Sequence, residues 1–266
     1  MFEQYNRQAR VLLAAVLVGA ASPVIADTIM LNGTVRDFCQ PAIGGTCSAH
    51  PDFEGAIATE TGIVQTMLGG DGKPVYAKGD GATSPTTSGQ TNFDQWYNDV
   101  VGVNSSQILG ITLDNTITAD PDIYTFVDSA FFPIDGALFG NQGRSHNYHF
   151  TYELHSSFTF IGDEMFTFTG DDDVWVFIND TLAIDLGGVH GAQTGSVDLS
   201  DAGTQALLGI TPGQNYDFDL FFAERHTVAS SFRIDTSIEL ATPVPEPATL
   251  ALLGLGLMGL GYRRRR

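Results

Sequence analysis

The chain has 266 residues, with 12 Lys and Arg against 31 Asp and Glu and a formal net charge of −19 at pH 7. Half of the basic residues lie in the two terminal segments, so the region between them is more acidic still. Nucleic acid is excluded as a partner, because binding phosphate requires a basic surface. A metal cation is the natural counter-charge, although most of the acidic residues need only keep the surface soluble.

Residues 1–26 have the features of a secretory signal peptide. Arg7 and Arg10 form a positive start, the apolar stretch VLLAAVLVGAA follows, and VIA before Asp27 is a small-residue cleavage site. A short membrane anchor is the alternative, but the apolar run is too short to span a bilayer comfortably. We therefore expect the protein to be exported.

Cys39 and Cys47 are the two cysteines of the chain. In an exported protein, a pair this close in sequence is typical of a disulfide, and neither residue belongs to a metal-type CxxC pair. Closing a loop of about nine residues corresponds to roughly 2.5 kcal/mol of stabilisation. We predict a structural disulfide here, within a looser N-terminal part over 27–115 that has short helices near 93–100.

The mature chain alternates apolar and polar side chains, a pattern that predicts strands. HNYHFTYEL places Tyr148, Phe150, Tyr152 and Leu154 on one face, and YDFDLFFAE and SFRIDTSIEL alternate in the same way. VWVFI, at 174–178, is apolar on both faces, which is typical of a central strand covered on both sides. Short strands separated by turn sequences predict an all-β fold. We expect an antiparallel β-sandwich, with its core in 116–240 and an N-terminal extension.

Three consecutive carboxylates, Asp171, Asp172 and Asp173, directly precede the VWVFI strand, so they should lie at the mouth of the sheet. Carboxylates this close do not all ionise cheaply without a cation. Calcium suits them, because it binds about six to eight oxygen atoms and no Cys/His set for zinc is present. The spacing is not that of an EF-hand. A turn with a solvated acidic edge is the alternative.

Two further polar segments are candidates for the same site. Glu224, Arg225 and His226 follow an alternating strand, and Glu224 would complete a calcium shell if its loop meets the acidic triplet. An exposed, salt-bridged hairpin is the alternative for Arg225. Asp185 and His190 flank two glycines and are candidates for ligand or loop contacts. A turn cap is the alternative for Asp185, and a structural role is the alternative for His190.

The C-terminal sequence PVPEPATLALLGLGLMGLGYRRRR resembles, over 244–266, the PEP-CTERM sorting signal that exosortase-type membrane enzymes recognise and process. Its apolar segment, 248–262, would be roughly 22 Å long as a helix, which is short for a stable span. We expect transient membrane anchoring with the arginines on the cytoplasmic side. The resemblance implies a Gram-negative bacterium that makes exopolysaccharide, and delivery to its outer surface or matrix.

Nearly all of the mature chain resembles the fibro-slime domain family, which is known from slime-mould cell-inducing factors and bacterial surface proteins. The resemblance rests on eight segments in order over 29–240: GTVRDFC, HPDFEG, GDGKPVY, FFPIDG, HNYHFTYEL, FTGDDDVWVFIN, LAIDLGGVHG and FFAERHTVASSFRIDTSI. The second half also resembles the β-sandwich of the anthrax protective-antigen insert and the yeast flocculins. In those adhesins, two consecutive aspartates joined by a cis peptide hold calcium, which coordinates sugar hydroxyls.

The resemblance implies that Asp171 and Asp172 are this calcium-binding pair and that the peptide bond between them is cis. An asparagine that also ligates calcium in the adhesins corresponds to Glu224, which keeps an oxygen ligand but adds a charge.

These features favour a calcium-dependent carbohydrate-binding or adhesion module that acts on extracellular polysaccharide or a surface glycan in a biofilm. Trp175 and Trp96 are candidates for stacking on sugar, with a core position as the alternative for Trp175. A structural matrix protein, in which calcium only stabilises loops, is the alternative function. An enzyme is not expected, because adjacent aspartates are poor candidates for a glycosidase pair and no serine elbow, HExxH or phosphate-binding loop is present.

Overall fold

The structure is a computed structural model that describes residues 26–40, 47–79 and 84–241. The predicted signal peptide and sorting segment lie outside these ranges, apart from residue 26. The described strands are β1 (Thr28–Phe38), β2 (Ala58–Thr59), β3 (Val64–Leu68), β4 (Pro74–Tyr76), β5 (Asn104–Asp114), β6 (Tyr124–Asp128), β7 (Phe150–Thr159), β8 (Met165–Asp171), β9 (Asp173–Ile178), β10 (Thr181–Leu186), β11 (Gly188–Val189), β12 (Gln193–Asp198), β13 (Asn215–Glu224) and β14 (Ser231–Thr236). The described helices are α1 (Gln90–Phe93) and α2 (Ala202–Leu208).

Twelve of the described strands form one antiparallel sheet, in the order β12-β8-β14-β6-β5-β1-β7-β13-β9-β10-β3-β4, and β2 pairs separately with β11. The sheet curls until β12 contacts β10. Residues of β8 and β14 thereby pack across one large core against residues of β7, β9 and β13. The predicted all-β, antiparallel sandwich is confirmed.

The alternating pattern identified the core-facing side chains correctly. The main core contains Phe150, Tyr152 and Leu154 of β7, together with Phe218, Leu220, Phe222, Phe232 and Ile234 of β13 and β14. Side chains on the opposite face of β7, such as Thr151 and Glu153, are buried as well. Polar residues therefore do not mark a solvent-exposed face here, because a further layer of chain covers that side of the sheet.

Residues 47–79 and 84–100, which we call the second layer, cover the outer face of β9 and β13. Trp175, Phe177 and Phe221 pack there against Phe93 and Trp96 of this layer. The alternate side chains of β9 point into the main core. The prediction that VWVFI is a central strand covered on both faces is confirmed.

The N-terminal part of the chain is integral to the sheet, which continues across the predicted boundary at residue 115. Strand β1 pairs with β5 on one side and with β7 on the other, in a register that alternation alone does not reveal. The predicted disulfide between Cys39 and Cys47 is confirmed, and it follows β1 directly.

Both described helices are short. Short helices were expected near 93–100, and helix α1 ends at residue 93, where that region begins. Helix α2 was not predicted from the sequence, yet its ends carry ordinary signals. Asp201 accepts a hydrogen bond from the Thr204 N–H at its N-terminus, and Gly209 adopts φ +66° at its C-terminus.

A cluster of charged side chains lies on the outer face of β7. Glu153 accepts hydrogen bonds from Arg36 at 2.5 Å, from Lys73, and from His155 at 2.8 Å. His155 also lies 2.6 Å from Asp219, and its hydrogen bonds to Asp219 and Glu153 raise its pKa to about 9. Burial opposes ionisation of Glu153, but the hydrogen bonds from His155 and Lys73 lower its pKa to about 2. The cluster therefore holds β7, β1, β13 and the β3–β4 turn together by charge.

We expect charged His155 to stabilise the fold at low pH. Its folded-state pKa of about 9 lies above the ordinary 6.5, so the contribution is complete below that ordinary value and is lost as the pH rises through about 9. The side chain is 48% exposed, and screening limits the contribution to below about 1 kcal/mol. His155→Gln should lower the free energy of unfolding in urea at about pH 6 and leave it nearly unchanged at about pH 10. An equal loss at both pH values would contradict this interpretation.

Candidate functional site

The acidic triplet lies where β8 passes into β9. Asp171 ends β8 and Asp173 begins β9. The peptide bond between Asp171 and Asp172 is cis, which confirms the expectation drawn from the resemblance. The side chains are all buried, with exposed fractions of 7% for Asp171, 5% for Asp172 and 0% for Asp173. The alternative of a solvated acidic edge is therefore wrong.

Asp173 is neutralised by an arginine of the same chain. Arg225 Nε donates to Asp173 Oδ2 at 2.6 Å, and Arg225 Nη2 donates to Asp173 Oδ1 at 3.0 Å. The Gly188 N–H donates to the same Oδ1 at 2.6 Å. Both side chains of the ion pair are fully buried. The alternative of an exposed hairpin is wrong for Arg225, because a buried carboxylate draws its counter-charge into the interior.

The guanidinium group of Arg225 also joins the second layer to the site. Its Nη1 donates to the carbonyl oxygens of Asp52 at 3.1 Å and Thr86 at 2.6 Å. It lies 4.6 Å from the centroid of the Trp96 ring, which is a cation–π distance. Trp96 in turn donates its Nε1–H to Asp52 Oδ2 at 3.0 Å. Arg225 therefore fixes the position of the second layer relative to β9.

Neither candidate tryptophan is available to stack on a sugar, because Trp96 and Trp175 are both fully buried. The hypothesis of sugar stacking is wrong for both, and the alternative of a core position for Trp175 is confirmed. Trp175 donates its Nε1–H to Asp185 at 3.0 Å. Asp185 also accepts from the N–H groups of Gly62 at 2.7 Å and Gly187 at 3.1 Å. The contacts of Asp185 match the alternative that it caps a loop.

Asp172 is oriented by main-chain groups of two loops. Its Oδ1 accepts from the His190 N–H and its Oδ2 from the Arg225 N–H, both at 3.0 Å. Burial, followed by the charge of Asp173, raises the pKa of Asp172 to about 7. The ring nitrogens of His190 lie 2.9 and 3.1 Å from two carbonyl oxygens of their own loop. His190 thus contributes its main-chain N–H to the site, while its ring contacts match the structural alternative.

Two glycines let the loop before His190 approach the second layer. Gly188 pairs with Thr59 in the β11–β2 ladder and has φ +109°. A Cβ atom at this position would collide with the carbonyl oxygen of Ala58. Glycine in the sequence LGG therefore lets the main chain of this loop lie close to the main chain of the second layer at the mouth of the sandwich.

Glu224 has a buried oxygen that lacks a well-formed hydrogen bond. The residue is 1% exposed, and within the described ranges no group meets hydrogen-bond geometry at its Oε2, although the nearby Ser230 hydroxyl lowers its pKa. Its Oε1 accepts one long bond, from the His226 N–H at 3.3 Å. Burial, followed by the charges of Asp172 and Asp171, raises the pKa of Glu224 well above its ordinary value. An unsatisfied carboxylate oxygen beside two other carboxylates fits the donor chemistry of a hard cation.

The carboxylates do not form a closed metal centre. No group of three or more His, Cys, Asp or Glu side chains within the described ranges is arranged to hold an ion. Asp171 Oδ1 accepts from the Ser231 N–H at 2.5 Å, and both oxygens of Asp173 are occupied by Arg225 and Gly188. The assignment of calcium and of its ligands therefore stays a prediction.

A cavity of about 190 Å³ opens over Asp171 and Asp172. Its walls are the loops that carry His190 and His226, together with Ile57 of the second layer. Of the expected contact residues, His190 and His226 line this cavity, whereas Arg225 and Asp185 hold the structure around it.

Glu54 fixes one wall of this cavity. It accepts from the Thr227 N–H at 2.9 Å and the Thr227 hydroxyl at 3.3 Å, and it contacts His149 Nε2 at 2.8 Å. Its own N–H donates to the Arg225 carbonyl at 2.8 Å. Sequence reasoning missed Glu54 and Ile57, although the segment HPDFEG carried part of the resemblance.

Comparison with known protein families identifies two parts of the chain. Residues 141–246 match the PA14 domain, and residues 243–266 match the PEP-CTERM protein-sorting motif. The protein therefore contains a PA14 domain followed by a PEP-CTERM sorting motif. Strands β1 to β6 and the second layer lie before the matched domain. No helix in the described residues is long and apolar enough to cross a membrane, and the expected segment at 248–262 lies outside them.

The curated relatives are longer slime-mould proteins. Protein psiR of Dictyostelium discoideum is 39% identical over 82% of this chain and 22% of its own length. Protein psiD of the same organism is 40% identical over 80% of this chain and 42% of its own length. The chain thus spans less than half of either relative, and membership of the fibro-slime family stays a prediction.

Among solved structures, a PA14 sugar-binding domain from an RTX adhesin is 12% identical, with a TM-score of 0.31. The match covers 80% of this chain and 94% of that one.

We expect Arg225→Met to lower the free energy of unfolding by about 3–5 kcal/mol, because Asp173 is left as an unpaired buried charge. The double variant Arg225→Met with Asp173→Asn should lose less than the sum of the two single losses. Urea unfolding of all three variants measures this coupling. Arg233→Met is the control: Arg233 pairs with Asp235 at 2.5 Å but is 39% exposed, so a loss below about 1 kcal/mol is expected. Additive losses in the double variant would contradict the pairing.

Proposed function

We propose that the protein is an exported binding module that holds calcium with Asp171, Asp172 and Glu224 and binds a glycan through it. The observation that carries the proposal is the buried Oε2 of Glu224, which no well-formed hydrogen bond reaches within the described ranges, in a carboxyl group that interacts by charge with Asp171 and Asp172. Asp173 is not part of the proposed ligand set, because Arg225 and Gly188 occupy its oxygens.

The choice of calcium follows from charge and donor type. Carboxylates that are buried close together are costly to ionise at once unless a cation is present. The donors are oxygen atoms, which calcium prefers. When bound, calcium supplies coordination positions for ligand hydroxyl oxygens.

The residues around the carboxylates prepare them for this role. Two N–H groups orient Asp172, and the Ser231 N–H orients Asp171. The cavity leaves one side of these two residues open to a ligand. Glu224 is buried and is not among the residues that line the cavity.

The location supports a glycan as the partner. The PEP-CTERM motif at 243–266 is a sorting signal, which agrees with export, processing by an exosortase-type enzyme and delivery to the outer surface of a Gram-negative bacterium. Extracellular polysaccharide or a surface glycan of a biofilm is the polymer that such a protein would meet. We assign it a binding role and no catalytic one.

One observation favours the alternative of a purely structural calcium. Hydrogen bonds from Ser231, His190 and Arg225 already bring three loops together at Asp171 and Asp172. An ion there would stabilise these loops even if no sugar bound. Calcium-dependent stability without glycan binding would distinguish this alternative.

Asp172→Asn should weaken calcium binding about tenfold or more, because a ligand charge is lost. Titration calorimetry measures the affinity, and thermal unfolding in calcium or chelator measures the linked stabilisation, which reaches about 2.7 kcal/mol at a hundredfold excess over Kd. Glu224→Gln should act in the same direction. Asp163→Asn, at an exposed position, removes the same charge and should leave calcium binding unchanged. Absence of any binding heat at millimolar calcium in the wild-type protein would overturn the proposed site.

Glycan binding should depend on the same ion. On a glycan array, we expect the wild-type protein to bind in calcium and to lose its signal in chelator. Asp172→Asn should reduce the signal at the same calcium concentration, whereas Asp163→Asn should not. Binding that persists unchanged in chelator would contradict coordination of the sugar by calcium.

A further inference from the structure

The rim of the cavity over Asp171 and Asp172 is aliphatic. Ile57 is 68% exposed and Val228 is 85% exposed, and both line this cavity together with Val189. Single exposed aliphatic side chains are common on protein surfaces, and these two are distinguished by lining the same cavity. Here they stand beside a pair of buried carboxylates, so the cavity has one charged side and one apolar side.

The two aliphatic residues are held in place by the hydrogen bonds of their loops. Glu54, three residues before Ile57, accepts from both the N–H and the hydroxyl of Thr227, the residue before Val228. The Glu54 N–H donates to the Arg225 carbonyl. The apolar rim is thus joined across two loops and is preformed, which lowers the entropic cost of binding a ligand against it.

Most polar groups next to Val228 are already paired, and His226 Nε2 lies 3.8 Å from Glu54 Oε2. The Thr227 hydroxyl donates to Glu54 Oε2 at 3.3 Å, and His226 Nδ1 lies 2.8 Å from the Thr227 carbonyl. A ligand hydroxyl placed against Ile57 and Val228 would lose its water without finding a new partner, which is unfavourable. A ligand methyl group at the same position would gain by leaving water.

The size of the cavity limits the ligand that fits. A volume of about 190 Å³ lies below the roughly 300 Å³ at which pockets for drug-sized molecules begin. The cavity therefore suits a single sugar ring within a polymer.

We propose that the site selects a 6-deoxyhexose residue, whose hydroxyls face Asp171 and Asp172 and whose methyl group lies against Ile57 and Val228. Ile57 and Val228 are then specificity-determining residues, and Ile57 comes from the second layer, outside the matched PA14 domain. This inference rests on the proposed function, because the hydroxyls need the bound cation.

Two sugar pairs test the inference, since the members of each pair differ only in the C6 hydroxyl. L-rhamnose is compared with L-mannose, and L-fucose with L-galactose, by titration calorimetry on the full chain in saturating calcium. We expect a deoxy sugar to bind about tenfold more tightly than its hydroxylated partner, in line with discrimination of one small group by an apolar contact.

Variants of the rim supply the second readout. Val228→Thr combined with Ile57→Thr places hydroxyls at the rim with little change in exposure. We expect the ratio of affinities for the deoxy and hydroxylated sugars to fall to about one, while calcium affinity stays unchanged. Leu207→Thr is the matched control, because Leu207 is 68% exposed on α2, away from the cavity, and this variant should keep the preference.

The outcomes separate this inference from the proposed function. Equal or tighter binding of the hydroxylated sugars would overturn the inference and leave the proposed function intact. The inference alone is also overturned if none of the four sugars binds while other glycans on an array bind in calcium. If no glycan binds at all, the glycan part of the proposed function is overturned together with the inference.

Discussion

The buried ion pair between Arg225 and Asp173 is the interaction on which the arrangement at the mouth of the sandwich depends. Both side chains are fully excluded from solvent, and each nitrogen of the guanidinium group donates to an oxygen. Two bonds go to Asp173 and two go to carbonyls of the second layer. Because an isolated charge is far more costly in the interior than a paired one, β9, the end of β13 and the second layer are held in one arrangement.

This pairing also divides the acidic triplet into two kinds of carboxylate. Asp173 has a bidentate ion-pair partner within the chain. Burial and neighbouring carboxylates raise the pKa values of Asp172 and Glu224, and the charge of Arg225 lowers that of Asp172 without restoring its ordinary value. Additional positive charge would therefore be most favourable near Asp172 and Glu224. The three aspartates are adjacent in sequence, but the fold gives their carboxylates different partners.

The second layer links the stability of the sandwich to its mouth. It covers the apolar outer face of β9 and β13, where Trp175, Phe177 and Phe221 would otherwise contact water. The same layer carries Glu54, which binds the Thr227 loop, and Ile57, which lines the cavity. A segment that lies outside the matched PA14 domain thus shapes the surface at which a ligand would bind.

Sequence patterns alone were enough to predict strands β7, β9, β13 and β14, their core-facing side chains and the disulfide, but not the long strands β1 and β5. Side chains alternate across a strand, so the period of two in segments such as YDFDLFFAE reveals both the strand and its buried face. The position of the carboxylates was also readable, because Asp171 to Asp173 directly precede VWVFI. The cis peptide bond followed from the resemblance to known adhesins.

The partner of each polar group at the site depends on contacts between distant parts of the chain. Arg225 follows Asp173 by 52 residues, and Thr227 follows Glu54 by 173, so no local pattern indicates either contact. The same holds for β1, whose place between β5 and β7 is set by pairing with distant strands. Alternation reports the face of a side chain and not the strand or loop opposite it. Arg225, Trp96 and Glu153 are buried because the second layer packs on the sheet, and alternation in the sequence does not reveal that contact.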